Sequence, residues 1–189
     1  MRVNREKRAI FITGIPGSGK STLAGILARE LGRTLITMHE LVLRVDPESI
    51  GRGDMADARA MRKAFIQAMD EYTDEPIVVD GWPRTPDQAD LLPADAQVFL
   101  LACRPDIATD RLTRRGRGDD TPELVRKRVD EQSRLLEVDE RGGWAMKLAG
   151  WEGAVNTSLK HPICVAGGVL AYLRGIKGQA FDWTEDRLP

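Results

Sequence analysis

Gly14-Ile-Pro-Gly-Ser-Gly-Lys-Ser21 is the stretch on which the fold turns. It matches the pattern G-x-x-x-x-G-K-[S/T]. Glycine adopts backbone conformations closed to other residues and leaves room for phosphate oxygens. The loop amides can then point inward as an anion nest, and a helix opening at the loop's end presents its positive N-terminus. In such a loop Lys20 reaches the β- and γ-phosphates of a nucleoside triphosphate, and the Ser21 hydroxyl is offered to Mg²⁺. The flanking sequence supplies the context this motif requires. Arg8-Ala-Ile-Phe-Ile-Thr13 reads as a buried strand that stops at Gly14. Leu23, Ile26, Leu27 and Leu31 then recur at helical spacing, and Gly32 is a good C-terminal stop. Gly14, Ile15, Pro16, Gly17, Ser18, Gly19, Lys20, Ser21 and Thr22 are therefore assigned to ATP.

Outward from the loop, short apolar runs alternate with longer helical ones. Further strands are expected over residues 34–37, 76–80 (Pro-Ile-Val-Val-Asp, the cleanest buried run), 97–103 and, last, 162–166. Helices are expected over 21–31, from 41 until a break near Pro47, over 56–72, 107–115 and 121–140, and from about Val169. Met61, Phe65, Ala68 and Met69 share one face of the third. Thr121 caps the fifth, Pro122 suits its first turn and Glu123 complements its dipole. Continuous apolar strands alternating with helices imply a parallel sheet covered on both faces.

Length and composition bound the rest. The 189 residues fit one domain, 1–189, and 42% apolar with 30% charged residues is ordinary for a soluble globular chain. A net charge of −1 gives no chain-wide electrostatic footprint for nucleic acid. No apolar run approaches the roughly 20 residues that span a bilayer. The apolar stretch after the basic start is too short for a signal peptide. Cys103 and Cys164 lie far apart in apolar runs and read as buried free thiols. The expectation is a cytoplasmic monomer without a resident metal.

Two more segments point to a reaction class. Asp80 ends the most apolar strand, where ligands gather in open α/β sheets. A carboxylate there holds a water on Mg²⁺ or caps a turn. Gly81-Trp-Pro-Arg84-Thr-Pro-Asp-Gln88 follows directly. Later comes Asp110-Arg111-Leu-Thr-Arg114-Arg115-Gly-Arg117-Gly-Asp119-Asp120, and then Arg126-Lys127-Arg128. These stretches resemble the adenylate kinase family of nucleoside monophosphate kinases. Its patterns there read DGFPRT…Q, D-R-x-x-x-R, G-R-x-D-D and x-R-K-R, and Trp82 stands here in place of Phe. The resemblance implies a P-loop NTPase fold, a three-layer α/β/α sandwich with a five-stranded parallel sheet in the order 2-3-1-4-5. It implies that Arg84 binds the acceptor phosphate and that Gln88 reads the acceptor base. It implies that Arg111 packs against the donor adenine, and that Arg115, Arg117 and Arg128 close on the transferred phosphoryl group, anchored by Asp119 and Asp120. The activity implied is transfer from ATP, with Mg²⁺, to a (deoxy)nucleoside monophosphate.

Chemistry supports the arginines independently. Phosphoryl transfer gathers several negative phosphates, and the protein mainly supplies position and positive potential. The guanidinium fork grips two phosphate oxygens and stays charged. An acceptor phosphate is already an anion, so no general base is nominated. Two other readings stay open. A kinase of hydroxyl acceptors, including a nucleic acid 5′-end, would need Glu40 or Asp80 at the hydroxyl. A nucleotide-binding switch would need no second phosphate site, which Arg84 with Gln88 speaks against. For Arg114, Arg126 and Lys127 the reading is solvated helix charge.

The chain departs from the family pattern at the acceptor side. Where the family has Thr-Gly-Asp-x-x-Arg, this chain has Thr37-Met-His39-Glu40-Leu-Val-Leu-Arg44. Arg44 reads either as a second clamp on the acceptor phosphate or as a solvated helix charge. His39 reads either as a contact to a base or phosphate or as a partly buried helix residue. Residues 38–75 form a reduced acceptor-binding segment, and 114–120 a short lid loop in which Gly116 and Gly118 allow closure. Gly150 argues against one helix carrying both Trp144 and Trp151. The Ala166-Gly-Gly168 turn is expected near the donor base.

Overall fold

The computed structural model describes residues 9–45, 58–116, 121–136 and 143–175. The elements run β1 (Ala9–Gly14), α1 (Lys20–Leu31), β2 (Thr34–Thr37), α2 (Met38–Val45), α3 (Ala58–Glu71), β3 (Ile77–Asp80), α4 (Pro86–Ala89), β4 (Gln97–Ala102), α5 (Pro105–Arg115), α6 (Pro122–Leu136), α7 (Trp144–Gly153), β5 (Ala154–Asn156) and α8 (Pro162–Leu173). All strands pair in parallel, in the order β2-β3-β1-β4-β5. The expected topology is therefore the observed one.

Strand alternation divides the core into two layers of side chains. Phe11, Val79 and Leu100 face one way, into a cluster with Phe65 of α3, Leu112 of α5 and Val129 of α6. Ile10, Ile12, Val78, Phe99 and Leu101 face the other, onto Leu23 and Leu27 of α1 and Val165 and Val169 of α8. The register sets Ile12 and Thr37 beside Asp80 and Gly14 beside Leu101, so the carboxyl ends of the central strands meet along one rim.

The last strand was expected at 162–166, and the structure corrects this. Residues 162–173 form a helix, and the fifth strand is the three-residue Ala154–Asn156. Val165, Ala166 and Val169 are buried while Ile163 and Cys164 are exposed, which is helical spacing. Pro162 stands in the first turn, where its fixed φ and missing N–H suit a helix. Ala166, Gly167 and Gly168 are consequently helical and form no turn. Cys164 is exposed and Cys103 half-buried, both free, so the expectation of buried thiols fails for Cys164. Helix α7 also runs through Gly150. Trp144 leans on the core and donates its Nε1–H to the Leu135 carbonyl at 2.7 Å. Thr121 caps α6 as expected, accepting from Leu124 N at 3.3 Å. No helix among the described residues is long and apolar enough to cross a membrane.

Candidate active site

The phosphate loop leaves β1 at Gly14 and enters α1 at Lys20. Two of its glycines are dictated by close approach. Gly14 has φ 144°, and a Cβ there would meet the Leu101 carbonyl oxygen of β4 at 2.5 Å. Gly17 has φ 81°, and its Cβ would meet the Ala108 oxygen of α5 at 2.4 Å. Both neighbours are backbone, so neither can give way. Gly19 caps α1 in the left-handed region without a side-chain bond, which leaves the first amides of α1 open toward a ligand. Lys20 curls back over the loop and donates to the Ile15 oxygen at 2.7 Å.

The loop is laced from behind. Thr157, just after β5, donates from Oγ1 to the Ser18 oxygen at 2.9 Å and from its amide to the Ala102 oxygen at 2.8 Å. Arg111 of α5 donates to the Gly17 oxygen at 3.4 Å, to the Thr157 oxygen at 2.6 Å and to the Ser158 oxygen at 3.0 Å. The carbonyls of Gly17 and Ser18 are held outward, and the Ser18 amide closes the loop by donating to the Ile15 oxygen at 3.2 Å, which shapes a nest for the amides that follow. The sequence reading gave Arg111 to the donor base. Here its guanidinium braces the phosphate loop from the rim of the same cleft.

Across the rim, Asp80 is buried at the end of β3, and its Oδ1 has no hydrogen-bond partner among the described residues. Gly81 then turns the chain at φ 88°. Trp82 anchors that turn, fully buried and stacked on Phe65 with centroids 4.2 Å apart and an 11° interplanar angle. The indole thus fills the position where the family pattern has Phe. Arg84 follows, half-buried, donating from Nε to the Gly81 oxygen at 3.0 Å. Its amide donates to Gln88 Oε1 at 2.7 Å. Thr85 caps α4.

These groups meet in one cleft of about 860 Å³. Its walls include Gly14, Pro16 to Thr22, Asp80, Arg84, Arg111, Arg115 and Arg128. Burial, and then the nearby charges of Arg84 and Arg115, lower the Lys20 pKa from 10.5 to about 8 against the opposing pull of Asp80 and Cys103. Burial also lowers the Arg84 pKa, and Asp80 again opposes. Ser21 and Thr22 are exposed at the mouth. Arg117, Asp119 and Asp120 lie outside the described residues.

Two nominated residues are elsewhere. Arg44 pairs with Glu71 at 3.5 Å, both well exposed, and is not on the cleft wall. Gln88 braces the Arg84 backbone and does not line the cleft either. His39 is exposed and lines the cleft, so the reading of a partly buried helix residue fails. Glu40 is engaged: its Oε2 accepts from the Thr37 amide at 3.2 Å and the Thr37 hydroxyl at 2.8 Å, while its own amide donates to Thr37 Oγ1. That reciprocal pair is a capping box at the start of α2. Thr157 was missed by sequence reasoning because the strand that delivers it was misplaced.

A family model described as an AAA domain matches residues 10–134. An adenylate kinase from Mycobacteroides abscessus is 29% identical over 151 residues, 68% of this chain and 83% of that one. Adenylate kinase isoenzyme 1 of Rattus norvegicus is 26% identical over 200 residues, 92% of this chain and 97% of that one. The crystal structure of a gluconokinase from Sinorhizobium meliloti 1021 superposes with a TM-score of 0.69 at 19% identity, covering 90% of this chain and 94% of that one, a likeness of fold alone. With the loop, Asp80 and the arginines assembled on this sheet, the chain belongs to the adenylate kinase-like P-loop kinases.

Proposed function

We propose that the chain transfers the γ-phosphoryl group of ATP to a (deoxy)nucleoside monophosphate. One observation carries the reading. Lys20 and Arg84 bring two cations to one cleft closely enough that Arg84 depresses the Lys20 pKa. Like charges so arranged are costly unless anions lie between them. A donor triphosphate on the loop and an acceptor phosphate at Arg84 would supply those anions.

In this mechanism Lys20 and the loop amides hold the β- and γ-phosphates. Arg84 turns the acceptor phosphate toward the γ-phosphorus. An acceptor oxygen attacks, the bond to the β,γ-bridging oxygen breaks, and ADP leaves with those electrons. Arg115 and Arg128 spread the charge of the transferring group. Ser21 and Asp80 would hold Mg²⁺; the unpartnered Asp80 Oδ1 and the Ser21 hydroxyl are hard oxygen donors that fit it. When bound, the ion neutralises charge on the β- and γ-phosphates. A base is not required, and Glu40 is committed to its cap.

The second reading is a hydroxyl acceptor, with Asp80 taking the proton. The free Oδ1 supports it. An ADP-release assay over AMP, CMP, UMP, GMP, dTMP and their deoxy forms, with a 5′-hydroxyl oligonucleotide and small alcohols included, separates the two. Turnover on a monophosphate is expected. Turnover confined to an alcohol or the oligonucleotide would overturn the proposal.

A further inference from the structure

Four buried side-chain polar atoms have no hydrogen-bond partner among the described residues: Ser18 Oγ, Asp80 Oδ1, Trp82 Nε1 and Gln132 Nε2. Three of these residues, Ser18, Asp80 and Gln132, line the cleft. A buried polar group left unpaired costs on the order of 1–3 kcal/mol, so such groups are rare and call for a reason. Ser18 belongs to the phosphate loop, and Asp80 is taken up by the chemistry above. Gln132 is not used by it.

Gln132 lies on α6 one turn beyond Arg128, at i+4, so both project from the same helix face. It is only 7% exposed. Its neighbours Val129 and Leu136 are buried in the cluster that runs from Ile15 behind the phosphate loop to Met38 and Trp82, which lie within the Thr37–His39 and Gly81–Arg84 segments. A long polar side chain is thus held out of bulk water at the wall of a substrate cleft, with a donor unspent. An aliphatic residue of similar length would pack there without that cost.

We propose that Gln132 is a specificity-determining residue for the acceptor, donating from Nε2 to an oxygen of the acceptor substrate. The proposal rests on the reading above only for what that acceptor is. It explains why an amide occupies this site: the bond is made when the acceptor arrives.

The test is Gln132→Met, which keeps length and removes the donor. The substrates are ATP and the monophosphate that wild type turns over fastest. The acceptor KM is expected to rise about threefold to tenfold, the range for a single hydrogen bond. The KM for ATP should stay within about twofold, and the melting temperature without substrates should hold or rise because an unpaired amide has gone. Unchanged acceptor KM, equal losses for both substrates, or a lower melting temperature with both KM values raised would overturn the proposal. Gln132→Glu, which replaces the donor by an acceptor-only carboxylate, should lose more; a wild-type acceptor KM in that variant would also overturn it. If wild type phosphorylates only an alcohol, the monophosphate reading has failed by itself. Gln132 is then judged by the same split on that alcohol's KM.

Discussion

The two ends of the cleft are built differently. The donor end is mostly backbone: a glycine-rich loop pressed against the carbonyls of Leu101 and Ala108 and laced by Thr157 and Arg111. The end proposed for the acceptor is mostly side chains brought from separate elements that line the same cleft: Thr37 to His39 where β2 meets α2, Arg84 after β3, and Gln132 on α6. A backbone site tolerates little change, since amide geometry is fixed by the fold. A side-chain site can change its ligand by substitution without disturbing the sheet.

The sharpest way to break the comparison is to remove one cation from each end. Lys20→Ala should depress kcat by about a hundredfold to a thousandfold, as loss of a preorganised transition-state contact does. Arg84→Ala should raise the acceptor KM about tenfold to a hundredfold and leave the KM for ATP nearly unchanged. Steady-state kinetics with each substrate varied separately reads both. Unchanged turnover for the first, or equal loss of both ligands for the second, would dissolve the division into donor and acceptor ends.

A smaller effect tests the claim that the donor end is backbone. Gly17→Ala must place a Cβ at positive φ against the Ala108 oxygen. The left-handed conformation alone costs about 1–2 kcal/mol, so the KM for ATP should rise about tenfold and the melting temperature fall. Gly25, in the middle of α1 with open space at its Cβ, is the control. Gly25→Ala should gain stability, by about 0.5–1 kcal/mol, and leave both KM values alone. A tolerant Gly17 would mean that the loop is not pinned by α5.

How much of this could be read from sequence follows the same division. β1, the loop, α1 and Asp80 were legible because each is a local pattern: glycines at fixed spacing, an apolar strand, a helical period. Arg84, Arg111, Arg115 and Arg128 were legible from contiguous motifs, and all four line the cleft. β5 was not, because three residues, Ala-Val-Asn, carry no period. The neighbouring Pro-Ile-Cys-Val-Ala run is as apolar as a strand, although α8 buries it as a helix. Thr157 and Gln132 were not, because their surroundings arise from packing between distant segments. Arg44 and Gln88 carry suitable chemistry in suitable motifs, yet their side chains meet Glu71 and the Arg84 amide. Which way a side chain turns is decided by neighbours that no local pattern contains.

The smallest expected effect couples the two ends. Burial and the charge of Arg84 hold Lys20 at about 8 where an unperturbed lysine has 10.5. ATP phosphates favour the ammonium and raise its pKa again. Below pH 8, Lys20 is protonated in both free and bound protein, so this group leaves the affinity independent of pH. Above pH 8 the free protein has lost a proton that the complex keeps. Binding then takes up close to one proton at pH 9, and affinity falls by up to about tenfold per pH unit. The unliganded fold gains stability from this group as pH rises from about 8 to 10.5, because there the unfolded chain holds the proton and the folded chain does not. Calorimetry of ATP binding at pH 9 in two buffers of different ionisation heat measures the uptake. It should vanish in Lys20→Met. In Arg84→Ala it should shrink without vanishing, since burial is the larger cause. Arg84 is not assigned to ATP, so its removal can change donor protonation only through the charge it shares with Lys20. Undiminished uptake in that variant would mean that the two ends of the cleft are electrostatically independent.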